Sequence, residues 1–253
     1  IIHLNKIKNK IDSVVHLAAI NGTRNFYEKP NLVLEVGIKG IINIIDFCKN
    51  KKIKEIFLAS SSEVYQNAPF YPTDEKVRLI IPDPHNPRFS YSSTKIISEI
   101  LILNSDIFKK AVIFRPHNIY GPDMGLKHVI PELIIKTIKE KKFLDIQGNG
   151  KNKRSFCYIE DFVDAFNIII KKGKHKEVYN IGNTEEVKIS YLSKLIISLL
   201  NKDLKIKLST KSFYNAMRRL PDIKKLNKLG YKPKINLKKG LKKTIDWYKH
   251  NHK

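Results

Sequence analysis

Cysteine is scarce in this chain of 253 residues, which contains only Cys48 and Cys157. Two cysteines cannot build the disulfide framework of a small secreted domain, and they suit a reducing compartment. The sequence also lacks any apolar run of the roughly 18 residues that a membrane-spanning helix needs. We therefore expect a globular, cytoplasmic protein without a membrane partner, whose 42% of hydrophobic residues supply a sizeable core.

Acidic residues are few as well: 24 Asp and Glu stand against 48 Lys and Arg, and the formal net charge is +24. Such a charge suggests nucleic-acid binding. Lysine, however, supplies nearly all of the excess and is scattered along every segment, without the interleaved aromatic residues of a single-strand stacking platform. We therefore do not favour nucleic acid as a partner, and infer only that a basic surface helps to gather phosphate-bearing substrates.

Metal-ligand spacings are missing too, because no histidine lies at a distance along the chain that is typical of a metal site. We predict no metal. What the chain does contain is an alternation of short β-branched segments with longer amphipathic ones, which predicts parallel strands joined by crossover helices. The predicted strands are 13–17, 55–59, 111–115, 143–146 and 177–181, and the predicted helices are 31–49, 92–108, 129–141, 159–171, 190–201, 223–228 and 237–249.

One motif contains a pair of residues that could take part in catalysis. Tyr91-Ser-Ser-Thr-Lys95 opens an apolar-periodic run, so that Tyr91 and Lys95 would share a helix face at i,i+4. With 11 tyrosines and 41 lysines, about two Tyr-x-x-x-Lys matches are expected by chance, so the motif alone is weak. Its context strengthens it, because a serine-rich segment, Ser60-Ser-Ser-Glu-Val-Tyr65, ends a strand about thirty residues earlier.

These segments, in this order, resemble the extended short-chain dehydrogenase/reductase family, specifically its nucleotide-sugar epimerases, dehydratases and decarboxylases. Further matching segments are Val15-His-Leu-Ala-Ala19, Phe114-Arg-Pro-His-Asn-Ile-Tyr-Gly-Pro122, Gln147-Gly-Asn-Gly150, Arg154-Ser-Phe-Cys-Tyr-Ile-Glu-Asp161, Tyr179-Asn-Ile-Gly182 and Arg219-Leu-Pro-Asp-Ile223. Each is weak alone, whereas their order and spacing are specific.

The resemblance implies an α/β fold: a Rossmann-type doubly wound parallel sheet with a smaller C-terminal substrate-binding α/β domain. Residues 1–122 would be the remainder of the NAD(P)-binding domain, residues 123–253 mainly the substrate-binding region, and residues 143–182 would give strands to both. The glycine-rich turn of the family is missing from the sequence. We therefore expect a sheet without its first strands, truncated at the N-terminus, with segment 13–17 as an unpaired hydrophobic edge.

From this expected truncation we predict that residues 1–253 alone fold poorly and bind the cofactor weakly. A sharp thermal transition together with tight NAD binding by this chain would contradict the prediction. The cofactor that the resemblance implies is NAD, with NADP not excluded.

The resemblance also implies roles for individual residues. Tyr91 would be the catalytic base, its phenolate favoured by Lys95 and by the positive nicotinamide, and Ser61 would hydrogen-bond the reacting oxygen. Glu63 would take the C5 proton beside a 4-keto group, as in dehydratases. The cofactor would contact Leu17, Ala18, Ala19, Ser60, Tyr91, Lys95 and Pro116. The nucleotide-diphosphate sugar would contact Ser62, Asn118, His128, Val129, Gln147, Arg154 and Arg219.

Several interpretations stay open. An epimerase that oxidises C4 transiently is slightly preferred, because the loops lack the Asp-Glu pair of the best-marked dehydratases. Glu63 keeps a 4,6-dehydratase or a UDP-glucuronate decarboxylase as the alternative. Two further hypotheses are not enzymatic: the chain could be an inactive fragment or a basic nucleic-acid-binding module. By resemblance, helices 31–49 and 92–108 would also pair with their symmetry mates in a homodimer.

Overall fold

The computed structural model describes residues 4–209 and 218–251. Its strands are β1 (Ser13–His16), β2 (Glu55–Ala59), β3 (Lys110–Pro116), β4 (Ile119–Tyr120), β5 (Phe143–Gln147), β6 (Lys153–Ser155), β7 (Cys157–Tyr158), β8 (Glu177–Ile181), β9 (Glu186–Lys188), β10 (Lys205–Ser209) and β11 (Arg218–Arg219). Its α-helices are α1 (Thr23–Glu28), α2 (Pro30–Asn50), α3 (Ser90–Leu103), α4 (Val129–Lys139), α5 (Ile159–Lys172), α6 (Ile189–Leu199), α7 (Lys224–Asn227) and α8 (Leu237–Asn251).

A four-stranded parallel sheet in the order β1-β2-β3-β8 forms the first half of the molecule. Its strands are nearly continuous in apolar residues because helices cover both faces. Ile56 and Leu58 point to the cluster that contains α2 and α3, whereas Phe57 and Ala59 point to the cluster that contains α5. The sheet is therefore doubly wound, as expected from the resemblance.

Strand β1 lies at the edge of this sheet and pairs only with β2 within the described residues. Val15 is 39% exposed and Leu17, just after the strand, is 59% exposed. The expectation of a hydrophobic edge at this segment is thus confirmed, whereas poor folding stays a prediction. No described helix is long and apolar enough to cross a bilayer.

A second core lies around helices α4, α6 and α8 and the parallel pair β5-β10. Two small sheets lie between the four-stranded sheet and the second core. In one, β4 pairs with β7; in the other, β6 lies between β9 and β11. Strand β5 belongs to the second core, whereas β8 joins the first sheet. That residues 143–182 give strands to two separate domains stays a prediction. A domain boundary near residue 122 stays a prediction.

The prediction for segment 92–108 was wrong at both ends. Helix α3 begins at Ser90 and already ends at Leu103, where the side chain and backbone amides of Asn104 both donate to Ile100 O. An asparagine that binds the last turn in this way competes with helix continuation. The helix predicted for residues 223–228 was also too long, since α7 spans four residues. Helix α1 and the short strands were not predicted.

Helices α2 and α3 pack closely enough to require a glycine at their crossing. A Cβ atom built on Gly37 would lie 2.6 Å from Cβ of Thr94. Thr94 precedes Lys95, so this close approach helps to determine where α3 presents Tyr91 and Lys95. The packing of two helices is thereby linked to the geometry of the site.

Candidate active site

A cleft of about 460 Å³ opens at the carboxyl ends of the parallel strands. Its walls include Leu17 after β1, Ser60 after β2 and Pro116 at the end of β3. In open parallel α/β sheets this edge is where ligands bind. Twelve of the predicted site residues line the cleft: Leu17, Ser60, Ser61, Ser62, Glu63, Tyr91, Lys95, Pro116, Asn118, His128, Val129 and Arg219.

Tyr91 reaches the cleft because of how helix α3 begins. The Asn86 side chain accepts a hydrogen bond from the backbone N–H of Arg88 at 3.0 Å, and Pro87 opens a 3₁₀ turn that leads into the helix. Asparagine followed by proline is a favoured helix start. Tyr91 therefore lies in the first turn of α3, with Lys95 one turn later on the same face.

The Tyr91 phenol is strongly disfavoured from ionising by its burial. Burial raises its pKa to about 12, although a hydrogen bond from Ser61 acts in the opposite direction. Lys95 does not offset the effect of burial, because its Nζ donates to the carbonyl oxygen of Ala59 at 2.7 Å and lies 5.7 Å from the centroid of the Tyr91 ring. Burial also lowers the pKa of Lys95 to about 8, against the opposing charge of Glu99. The phenolate is not yet favoured in this structure.

The three neighbouring serines have different surroundings. Ser61 precedes a 3₁₀ turn, Ser62–Tyr65, and its Oγ accepts the backbone N–H of Glu63 at 3.1 Å, so it caps the turn and also contacts Tyr91. Ser62 is buried and lines the cleft. The Ser60 hydroxyl donates to Glu99, which lies behind the cleft. Ser60 thus takes part in a buried network as well as in the wall of the cleft.

This buried network supports the floor of the site. Arg115 donates to both carboxylate oxygens of Glu99, at 2.9 and 2.6 Å, and also donates to the Tyr65 hydroxyl at 2.7 Å. Tyr65 in turn donates to Oδ1 of Asn180, at 2.8 Å. Glu99 and Arg115 are each 3% exposed. The network therefore places a desolvated ion pair directly beneath Ser60.

The orientation of Asn180 also determines the tautomer of His117. Asn180 Nδ2 donates to the carbonyls of Thr73 and Asp222, so Oδ1 is an acceptor and the His117 Nε2 atom, 3.1 Å away, carries the proton. Burial lowers the pKa of His117 to about 3, so its ring is neutral. His117 is therefore a structural member of the network and not a proton carrier at neutral pH.

Replacing Arg115 by Met is expected to destabilise the fold by about 3–5 kcal/mol, because a buried Glu99 carboxylate would lose its charged partner. Urea denaturation measures this change. Lys136→Met is the matched control, since the Lys136–Glu132 pair is partly exposed and contributes about 0–1 kcal/mol. Equal free-energy losses for the two variants would contradict the assignment of Arg115 to the structural core.

Glu63 is clamped between two arginines. Its Oε2 lies 2.7 Å from an amino nitrogen of Arg88, and its Oε1 lies 2.6 Å from an amino nitrogen of Arg219. Burial raises the pKa of Glu63, but the charges and hydrogen bonds of Arg219 and Arg88 outweigh it and lower the pKa to about 2. The carboxylate is therefore ionised and in contact with the cleft, but it is a weak base in this arrangement.

Arg154 lies beside this clamp without lining the cleft. Strand β6 pairs in parallel with β11 so that Arg154 and Arg219 are Cα partners. Burial and the charge of Arg219 lower the pKa of Arg154 to about 10. The structure thus brings together two of the predicted diphosphate-binding arginines and adds Arg88, which the sequence did not single out.

Three other predicted site residues do not line the cleft, whereas Asn118 does. Gln147 ends β5 and is exposed, Ala18 is exposed, and Ala19 packs into the small cluster around Tyr91; none of these lines the cleft. Asn118 does line it, with a φ of 43° and its Nδ2 donating to Ser155 O at 2.9 Å. All these roles stay predictions.

The segment that closes the cleft beside Tyr91 is not among the predicted site residues. Asn21, Gly22, Thr23 and Phe26 line it, and the Phe26 ring stacks on Tyr91 at 4.9 Å with 10° between the planes. Helix α1, which carries Phe26, has only six residues, too short for a periodic signal. The one available cue was an aromatic residue shortly after the small residues that follow β1.

The residues present fit the nicotinamide end of a dinucleotide. Lys95 is 4% exposed and gives one of the three N–H groups of its ammonium to Ala59, which leaves two for vicinal hydroxyls at the cleft. Within residues 4–209 and 218–251, no cluster of three or more His, Cys, Asp or Glu is arranged to hold a metal ion.

A doubly wound sheet whose cleft joins a serine, a tyrosine and a lysine defines a dinucleotide-dependent enzyme class. The sequence model of the NAD dependent epimerase/dehydratase family matches residues 3–182. The chain belongs to that family, which is NAD-dependent.

Individual relatives agree. The chain is 32% identical to a dTDP-D-glucose 4,6-dehydratase of Dictyostelium discoideum over 96% of its own length, and 31% identical over 97% to an Arabidopsis thaliana trifunctional enzyme that includes UDP-glucose 4,6-dehydratase. It spans 66% and 37% of these relatives. A UDP-N-acetylglucosamine 4-epimerase of Methanobrevibacter ruminantium M1, solved with UDP-N-acetylmuramic acid, superposes with a TM-score of 0.85 at 25% identity, over 98% of this chain and 79% of the other.

Proposed function

We propose that this protein is an NAD-dependent enzyme that transiently oxidises C4 of a nucleotide-diphosphate sugar. The observation that carries the proposal is that Ser61, Tyr91 and Lys95 line one cleft at the carboxyl edge of the sheet. The relatives named above act on dTDP- and UDP-linked sugars, which supports a nucleotide-sugar substrate. We place the protein in the cytoplasm, in keeping with its two free cysteines.

Each residue of the cleft has a role in this proposal. Tyr91 takes the proton of the C4 hydroxyl, and Ser61 hydrogen-bonds the same oxygen. Lys95 holds the nicotinamide ribose, and its charge together with that of the bound nicotinamide would favour the Tyr91 phenolate, which the protein without cofactor does not favour. The chemistry that NAD supplies when bound is reversible uptake of a hydride from C4. Arg219 and Arg154 bind the diphosphate, a task for planar bidentate donors.

Two fates of the 4-keto sugar remain. An epimerase needs no further acid or base, because the ketone is reduced again on its other face, and Ser61, Tyr91 and Lys95 suffice. Elimination of water needs a group that removes the C5 proton. Glu63 lies in the same cleft as Tyr91, and this observation favours a 4,6-dehydratase as the second candidate.

Proton NMR of UDP-, GDP- and dTDP-sugars incubated with the protein and NAD tests the proposal and separates its two branches. Changed ring couplings without a new methyl signal identify an epimerase. A new C6 methyl doublet identifies a 4,6-dehydratase. If every sugar stays unchanged while NAD binding is saturated, the proposed activity is wrong.

We also propose that the protein forms a homodimer through helices α2 and α3. Four apolar side chains on these helices are exposed, between 40% and 54%: Leu32, Val36, Ile42 and Ile100. Ile100→Asp is expected to shift the protein to monomer in sedimentation velocity, because burying an unpaired carboxylate at an interface is unfavourable. Leu126→Asp, at an exposed leucine outside both helices, is the control. A monomeric wild type would contradict the proposal.

A further inference from the structure

The two arginines that clamp Glu63 differ in their access to the cleft. Arg219 lines the cleft together with Glu63, whereas Arg88 is absent from its lining. Each arginine takes one carboxylate oxygen, at 2.6 Å for Arg219 and 2.7 Å for Arg88. A ligand that enters the cleft can therefore compete for Arg219 while Arg88 keeps its hold on Glu63.

Arg88 is held from behind by the same residues that hold Tyr91. Its side chain is 3% exposed, and its guanidinium carbon lies 5.3 Å from the centroid of the Phe26 ring. The Phe26 ring stacks on Tyr91. The backbone N–H of Arg88 is bound by Asn86, in the turn that starts α3. The side chains of Arg88, Phe26 and Tyr91 thus pack together. Movement of Arg88 would therefore also displace Tyr91, the proposed base for the C4 hydroxyl.

Arg219 is more accessible than Arg88, because its side chain is 12% exposed, against 3% for Arg88. Glu63 holds the Arg219 guanidinium through one amino nitrogen. A neighbouring pair of donors on one guanidinium suits the two oxygens of a phosphate group better than a single contact does. Arg219 therefore has donor capacity that an anionic ligand in the cleft can use.

We propose that Arg88 is the positioning residue of Glu63, and that Arg219 is exchanged from Glu63 to the diphosphate when substrate binds. The exchange rests on the proposed function, whereas the role of Arg88 rests on the geometry of the clamp. After the exchange, Arg88 is the arginine that still hydrogen-bonds the carboxylate and keeps it directed at the cleft, while the charge of Arg154 lies nearby. Substrate binding thereby converts a doubly paired, weak base into a singly paired, stronger one.

The electrostatics of the clamp agree with this scheme. Burial alone raises the pKa of Glu63, and both arginines are needed to bring it to about 2. Withdrawing Arg219 removes one of the two arginine charges that oppose the effect of burial, so the pKa of Glu63 rises and its strength as a base increases. Withdrawing Arg88 as well would leave burial unopposed by either arginine, and the carboxyl group would be protonated at a much higher pH.

The experiment measures the Glu63 pKa by carbon NMR of glutamate-labelled protein, with the signal assigned by its loss in Glu63→Gln. In the wild type, saturating UDP is expected to raise this pKa by about one unit or more. In Arg219→Gln the pKa is raised already and UDP changes it little. In Arg88→Gln it is raised without ligand and rises further with UDP. GDP and dTDP are measured in parallel.

Two matched variants complete the test. Arg88→Lys keeps the charge and is expected to restore a lowered pKa in part, and Arg78→Gln, at an exposed arginine, is expected to leave it unchanged. An unchanged Glu63 pKa in a folded Arg88→Gln variant would overturn the role of Arg88. An unchanged pKa in wild type saturated with each of the three nucleotides would overturn the exchange.

Turnover gives a second, independent measurement. If elimination is detected, Arg88→Gln should lower the kcat of elimination at unchanged KM. It should also shift the acidic limb of the pH profile of kcat to higher pH, because a base with a raised pKa is protonated up to a higher pH. Arg219→Gln should mainly raise KM. Absence of turnover in the wild type counts against the proposed function, whereas the NMR titration of Arg88→Gln still decides the positioning role.

Discussion

Replacing Tyr91 by Phe is expected to lower kcat by about 100- to 10,000-fold, the range typical for loss of a general base. Phenylalanine keeps the ring that stacks on Phe26, so the fold and NAD affinity should be preserved. Burial raises the Tyr91 pKa to about 12 in the protein without cofactor. The wild-type rate should therefore also rise with pH as long as the pH is below the Tyr91 pKa, because more phenolate forms.

Initial rates by NMR, NAD titration and a thermal melt together check this result. Tyr191→Phe is the control, because Tyr191 on α6 is 54% exposed and should leave the rate unchanged. A Tyr91→Phe variant that retains the wild-type kcat would exclude Tyr91 as the base. A variant that loses NAD binding as well would indicate a structural role for the hydroxyl group.

Replacing Glu63 by Gln is expected to abolish elimination of water while leaving oxidation at C4, and any epimerisation, largely intact. The amide has nearly the shape of the carboxylate but cannot accept the C5 proton. Hydrogen–deuterium exchange at C5 of the sugar, followed by NMR, isolates this step from the oxidation. Loss of deuterium incorporation at C5 with retained transient reduction of NAD, followed by the absorbance of NADH, is the expected pattern, because the C4 hydrogen moves as a hydride and does not exchange with solvent.

Glu132→Gln is the matched control, since Glu132 is only paired with Lys136 along helix α4. A thermal melt of Glu63→Gln is needed as well, because the variant leaves Arg88 and Arg219 without a carboxylate partner. If a folded Glu63→Gln variant forms a 6-deoxy product at the wild-type rate, another group removes the C5 proton. If it loses oxidation at C4 too, Glu63 contributes to the first step.

Several of the motifs lie close together in the cleft because each of them ends or follows a strand of the same parallel sheet. Ser60–Glu63 follows β2, Pro116 ends β3, and Leu17 follows β1, so sheet topology brings them to one edge. Tyr91 and Lys95 join them through helical periodicity. These patterns are local, so they can be recognised from the sequence without knowledge of the tertiary contacts.

The remaining residues could not be predicted, since their positions depend on contacts far along the chain. Arg88 and Phe26 are separated by about sixty positions, yet they pack together behind Tyr91. The early end of α3 depends on the Asn104 side chain binding the last turn, which periodicity does not reveal. Short strands such as β6 and β11 exist through their pairing and have no signal of their own.

Hydrophobic periodicity is a local property, and it was enough to predict parallel strands with crossover helices. The resemblance of the motifs to a known family predicted the doubly wound sheet, the family and the Ser61–Tyr91–Lys95 set. The protonation states and the pairing of Glu63 depend on the folded structure. Burial raises the pKa of Tyr91, and the ion pairs with Arg88 and Arg219 lower that of Glu63. Desolvation and Coulomb interactions depend on distances in space, which folding sets between residues as far apart as Glu63 and Arg219.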